Sequence, residues 1–146
     1  MSGKIVAGVR SLVFMLFFYP VTALFVLLCA LFAPFSARML RRCGRLWGQT
    51  HRVLCRVVLG QRVRILGTLP QEPMLYVFKH ESMFETVDVL CLFAEPVVIA
   101  KQELLDIPGW GWVARRHGVI GLKRGDGAKA VRYLRAEALK ATDAGR

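Results

Sequence analysis

The chain has 146 residues, 55% of them hydrophobic, with a mean hydropathy of +0.43. That suits one domain of ordinary size and excludes a wholly disordered chain. Its net charge of +11 is unevenly placed: ten of the 21 Lys and Arg lie at or before Arg64 and all ten acids at or after Glu72, so the first 71 residues carry +10 and the remaining 75 carry +1. The basic half also holds the most apolar segment. Such a pairing is drawn to a membrane surface, at about 1 kcal/mol per Lys or Arg near anionic lipid, and argues against nucleic acid as the partner.

In chain order, the first element is the apolar one. Residues 11–37 contain no charge over 27 positions. About 20 apolar residues span a bilayer core. The run is too long for the 7–15-residue apolar region of a signal peptide, and Leu28 rather than a small residue precedes Cys29, so it is no lipoprotein signal. Pro20 allows a kink, and the run either spans the bilayer or dips into one leaflet and returns. Lys4 and Arg10 precede it; Arg38, Arg41, Arg42, Arg45, Arg52 and Arg56 follow it. The positive-inside bias puts the C-terminal side in the cytoplasm. Cysteines stand at 29, 43, 55 and 91 without C-x-x-C or zinc spacing, and read as reduced, buried thiols.

Residues 38–59 predict an amphipathic helix. Met39, Cys43, Leu46, Thr50, Val53 and Val57 form one stripe, widened by Leu40, Trp47, Leu54 and Val58. It lies either on headgroups or against the protein's own core. Beyond Gly60 the periodicity changes. Short strands are expected at 63–66, 74–78, 96–100 and 119–122, with a turn at Leu69-Pro70 and Glu72-Pro73. Helices are expected at 82–93, at 103–116 with a break near Pro108-Gly109, and at 126–141 with Ala128, Val131, Leu134 and Leu139 on one side. Strands alternating with helices predict an α/β fold. The expected division is 1–59, a membrane anchor with a basic interfacial helix, and 60–146, an αβ unit.

The sequence KHESMFE at 79–85 follows directly on an expected strand. A His at the carboxyl end of a strand, just before a helix, is well placed for chemistry. Five residues along a continuous helix turn about 500°, so His80 and Glu85 meet only if His80 precedes the helix. Ser82-x-x-Glu85 is a capping-box pattern that provides for this. In one reading Glu85 is only the capping acid. In the other it accepts a hydrogen bond from one imidazole nitrogen, and the second nitrogen takes a proton from a substrate hydroxyl. A zinc-protease motif is excluded, since Phe84 stands where its second His is required.

Together with AKQELLDIPGWGWVARRHGVIGLKR at 100–124, this segment resembles the 1-acyl-glycerol-3-phosphate acyltransferases. Their first motif is H-x4-D; here it is His80-x4-Glu85, one methylene longer in the acid. Their second block, K-x-E-L-x3-P-x2-G, is matched by Lys101, Glu103, Leu104, Pro108 and Gly111. A later motif, G-x-x-F-I-D-R, resembles Gly118 to Arg124, with Gly121 in place of Phe and Lys123 in place of Asp. The resemblance covers residues 60–141. It implies an αβ-layer glycerolipid-acyltransferase fold at the cytoplasmic face of a bacterial inner membrane. The implied reaction moves an acyl group from acyl-CoA or acyl-carrier protein to the 2-hydroxyl of lysophosphatidic acid, with membrane lipids as partners and no metal or organic cofactor. His80 would be the general base and Glu85 its positioning carboxylate. Lys101, Gly118 and Arg124 would bind substrate, Arg124 clamping a phosphate. The family's third motif, E-G-T-R, does not occur before Arg146. That implies an incomplete αβ layer, with weak or no activity from these residues alone. The alternative is a non-catalytic, membrane-anchored remnant that binds lipid or a partner.

Overall fold

The uncharged run has nothing to interrupt it, and in the computed structural model it forms a single long helix. The structure describes residues 2–70, 72 and 74–146. Helix α1 (Ser2–Phe32) runs through Pro20 without a break in assignment. Its segment Gly3–Phe32 is long and apolar enough to cross a membrane, and only 11% of its most apolar window is buried. After a turn, Ser36 caps α2 (Ala37–Leu54), its Oγ accepting from the Met39 N–H at 3.3 Å. Helix α2 passes into a π-helical turn, Cys55–Leu59, closed by Gly60 at φ 75°.

Three contacts fix the direction of α2 along α1. Cys43 lies against the Phe25 carbonyl, Trp47 Nε1 donates to Thr22 Oγ1 at 3.1 Å, and Arg10 Nε donates to the Val58 carbonyl at 2.6 Å. Rising numbers in one helix meet falling numbers in the other, so α1 and α2 form an antiparallel hairpin. Its closed end carries a small core of Cys29, Ala33, Leu40, Cys43 and Val113.

The buried face of α2 differs from the expected stripe. Leu40, Cys43, Gly44, Gly48 and His51 are buried, whereas Met39, Leu46, Val53 and Val57 are exposed. Hydropathy gives glycine no weight, yet here the glycines face inward because they permit close approach. A Cβ on Gly48 would sit 3.2 Å from both Cys91 Sγ and Leu90 Cβ, and one on Gly44 would sit 3.2 Å from His117 Nε2. Thus α2 packs on α3 (Met83–Leu92) through Gly48 and approaches α5 (Trp110–His117) through Gly44. The expected stripe is thus divided: Leu40 and Cys43 face in, whereas Met39, Leu46, Val53 and Val57 face out.

The expected strands at 63–66 and 74–78 are not formed, and Leu75 and Val77 there are 79% and 88% exposed. A strand exists only where a neighbour completes its ladder, and this segment passes outside the sheet. The turn expected at Leu69-Pro70 and Glu72-Pro73 lies partly outside the described residues, which omit Pro73. The other two strands appear, shortened, as β1 (Ile99–Lys101) and β2 (Ile120–Leu122). They pair in parallel, with Ile99 opposite Ile120 and Lys101 opposite Leu122. Helices α4 (Gln102–Leu105) and α5 make the crossover between them. A Cβ on Gly111 would strike the Leu105 carbonyl, so only glycine lets α5 pass this close to α4. Helix α6 (Ala128–Asp143) follows and packs on β2. The described residues are therefore mostly helical, and among them two strands form one parallel sheet.

All four cysteines are free thiols. One ion pair links α2 to α3: Arg52 Nε and Nη2 donate to the two Asp88 oxygens at 2.6 and 2.8 Å, with Asp88 only 4% exposed.

Candidate functional site

The first turn of α3 holds the histidine and the acid. Ser82 is extended, with φ −153°, and caps the helix: its Oγ accepts from the Phe84 N–H at 3.1 Å, and its own N–H donates to Glu85 Oε1 at 2.6 Å. His80 therefore lies before the helix and Glu85 within it. Their side chains meet, with His80 Nδ1 3.1 Å from Glu85 Oε1. The Glu81 N–H also donates to Oε1, and Ser82 Oγ donates to Oε2 at 2.8 Å.

These donors set the charge of the pair. The Ser82 N–H foremost, with the other donors of the turn, lowers the Glu85 carboxyl to about 2. At neutral pH Glu85 is an anion and accepts only. Nδ1 of a neutral His80 must then carry the hydrogen, which leaves the lone pair on Nε2. The His80 side chain is 66% exposed, so Nε2 is open to a hydroxyl arriving from outside. The arrangement is chemically a base held in one tautomer by a carboxylate.

The other candidate residues lie elsewhere. Lys101 ends β1 and is exposed; Arg124 follows β2 and is exposed. The register sets Lys101 opposite Leu122, so both cations stand at the carboxyl edge of the parallel pair. Among the described residues neither side chain makes a hydrogen bond or ion pair. Gly118 ends α5 at φ 101°, its N–H donating to the Ala114 carbonyl at 3.1 Å, a position that favours glycine. A cavity of about 310 Å³ adjoins this edge, lined by Gln102, Leu122, Lys123, Asp126, Lys129 and Tyr133 among others. His80 and Glu85 do not line it. Helix α3 packs chiefly on α2, whereas the basic edge packs with α4 and α6. The structure thus joins His80 to Glu85, and Lys101 to the Arg124 edge, without joining the two groups.

Sequence reasoning passed over His51. It is 5% exposed, ringed by Phe14, Phe18 and Phe84 at centroid distances of 5.4–5.9 Å, with Nδ1 unpartnered. It lies under the residue next to Glu85 and packs the base of the α3 turn. The Arg52–Asp88 pair was also missed, since nothing local links residues 36 apart. Arg115 pairs with Asp106 at 3.1 Å, and Arg116 donates to the Ala33 carbonyl at 3.2 Å, so Arg116 serves the end of the hairpin rather than solvent alone. Among the described residues no group of three or more His, Cys, Asp or Glu converges on a metal position.

Comparison with known proteins adds to this geometry. The acyltransferase family model matches residues 61–145. A 1-acyl-sn-glycerol-3-phosphate acyltransferase of Pseudomonas aeruginosa is 33% identical over 103 residues, which are 69% of this chain and 40% of that protein. A lyso-ornithine lipid O-acyltransferase of the same organism is 34% identical over 74 residues, 51% of this chain and 28% of that protein. The chain spans two-fifths or less of the length of these relatives. No solved structure matches it.

Proposed function

The chain belongs to the acyltransferase family, and from that premise we propose that it serves O-acyl transfer to a lysolipid, with lysophosphatidic acid as acceptor. The single observation that carries the reading is the His80–Glu85 contact at 3.1 Å, in a turn that holds Glu85 ionised. His80 Nε2 takes the proton of the acceptor hydroxyl as the oxygen attacks the thioester carbonyl of acyl-CoA or acyl-carrier protein. The C–S bond breaks, and the thiolate leaves with a proton returned by the imidazolium. Glu85 holds the tautomer and stabilises that cation. Such a base contributes about 10²–10⁴ in rate.

In this proposal Lys101 and Arg124 bind the acceptor's phosphate, and Gly118 shapes the approach to them. Two features support the assignment: both cations are unpaired at one sheet edge, and guanidinium matches phosphate bidentately. The αβ layer belongs to the same proposal, since β1, the α4–α5 crossover and β2 are the right kind of unit to build one. So does the division at residues 59 and 60.

We further propose that the α1–α2 hairpin seats the protein on the cytoplasmic face of a bacterial inner membrane. The exposed apolar surface of α1, continued by Met39, Leu46, Val53 and Val57, supports burial in lipid. Helix α2 and the π-helical turn after it lie alongside α1 and carry Arg52 and Arg56, which a fully spanning hairpin would draw into the bilayer at a cost of several kcal/mol. A hairpin lying in one leaflet avoids that cost.

Membranes from cells making the chain test the acceptor. Labelled acyl-CoA is offered with lysophosphatidic acid or with lyso-ornithine lipid, against membranes without the chain. The proposal expects label in phosphatidic acid above background. Label only in the ornithine lipid would move the assignment to that acceptor. No transfer to either, by folded and membrane-bound protein, would favour the non-catalytic remnant.

A further inference from the structure

A second basic site lies at the closed end of the hairpin, away from His80. A cavity of about 290 Å³ is lined by Arg38, Arg41, Arg42, Arg45, Ala94 and Glu95. Four guanidinium groups face one carboxylate, which leaves three positive charges uncompensated. Arg41 Nε stands 3.0 Å from Glu95 Oε1, and Arg45 Nη2 donates to the Phe93 carbonyl at 3.0 Å. Arg38 and Arg42 are exposed, and among the described residues neither side chain has a hydrogen bond or ion pair.

Like charges crowd together in this arrangement. The arginines occupy the first turns of α2, the positive end of its dipole, where no acid stands in the first turn. The Nε groups of Arg41 and Arg146 are buried donors without a hydrogen-bond acceptor, that of Arg41 being close to Glu95 but unaligned. Burial foremost, and then the charges of Arg146 and Arg41, pushes neighbouring His117 down to about 4. An anion in the pocket compensates the charge of the arginines that line it. The position narrows its chemistry: the pocket lies beyond the turn that follows Phe32, where the apolar helix ends and the arginines begin. A phosphate accepts from several guanidinium groups at once and gains from a helix N-terminus. The volume, at the low end for ligand pockets, suits a headgroup.

We infer that this pocket binds a phosphate group, carried on an anionic phospholipid headgroup or presented as soluble phosphate. It fixes the closed end of the hairpin at headgroup depth. The site is independent of acyl transfer and is tested without an acyl donor. The full chain in non-ionic detergent is titrated with short-chain phosphatidylglycerol and, separately, with inorganic phosphate, by calorimetry. Arg38→Gln/Arg42→Gln removes the two unpaired guanidinium groups. Arg62→Gln/Arg64→Gln removes the same charge elsewhere, and circular dichroism checks both folds. The expected result is lipid binding that weakens tenfold or more in the 38/42 variant and less than threefold in the 62/64 variant, with no competition by millimolar phosphate. Phosphate that binds and displaces the lipid, with the same variant pattern, assigns the site to soluble phosphate. No binding of either probe, or equal losses in both variants, overturns the site.

Discussion

Glu85 has two functions in one turn: it caps α3 and it faces His80. These separate by substitution. Glu85→Gln keeps a hydrogen-bonding group in the turn but loses the charge, so under the proposed reaction acyl transfer should fall by about 10² or more. Glu85→Asp, which restores the H-x4-D form, should stay within about tenfold. The pH–rate profile distinguishes positioning from mere folding: a general base sets the acidic limb, so loss of the anion should shift that limb, which a purely structural defect would leave in place. Ser82→Ala should cost about 1 kcal/mol of stability through the cap, measured by thermal unfolding in detergent. The meeting of His80 and Glu85 was legible in the sequence because it is local: Ser82-x-x-Glu85 sets where the helix begins. Residues joined over distance were not legible. Nothing at position 52 announces Asp88, and nothing at 51 announces the ring of Phe14, Phe18 and Phe84.

Helices α3 and α6, and the break between α4 and α5 at Pro108-Gly109, were readable from caps, prolines and periodicity. The buried face of α2 was not, because its inward residues include two glycines. Their value is the space they leave. Gly48→Val should therefore separate α2 from α3 and destabilise by about 2 kcal/mol, as overpacking does, whereas Val53→Ala on the exposed stripe should leave unfolding in detergent nearly unchanged. Loss of one partner from a buried ion pair costs about 3–5 kcal/mol, so Arg52→Ala should loosen α3 and the His80 turn with it. Hydrogen exchange at residues 83–92 would report this. The strands expected at 63–66 and 74–78 illustrate the opposite limit: apolar runs signal burial, but pairing depends on a neighbour that no local pattern supplies.

For the whole molecule, pH acts mainly through two histidines, His51, which is buried, and His117, which is half-buried. His117 is lowered to about 4, by burial and then Arg146 and Arg41, and His51 is lowered by burial. On acidification the unfolded chain takes up these protons first, near pH 6.5, so the stability they contribute is intact above 6.5. It is lost as pH falls towards 4, by up to about 3 kcal/mol for His117. The Glu85 contribution is present above about 4.5 and lost below it, towards 2. Unfolding at pH 7.5 and 4.5 should show the drop, and His117→Gln should flatten it. A pH-independent midpoint would contradict the burial of these side chains. The uncharged run made the long apolar helix α1 legible, but not the antiparallel return of α2, which rests on contacts between residues far apart in sequence.

The most direct measurement is acyl transfer from acyl-CoA to lysophosphatidic acid by membrane-bound full chain, wild type beside His80→Ala, at equal amounts of folded protein. The account expects product from the wild type and a loss of about 10²–10⁴ in the variant. Equal rates from both would remove His80 as the base and, with it, the proposed mechanism.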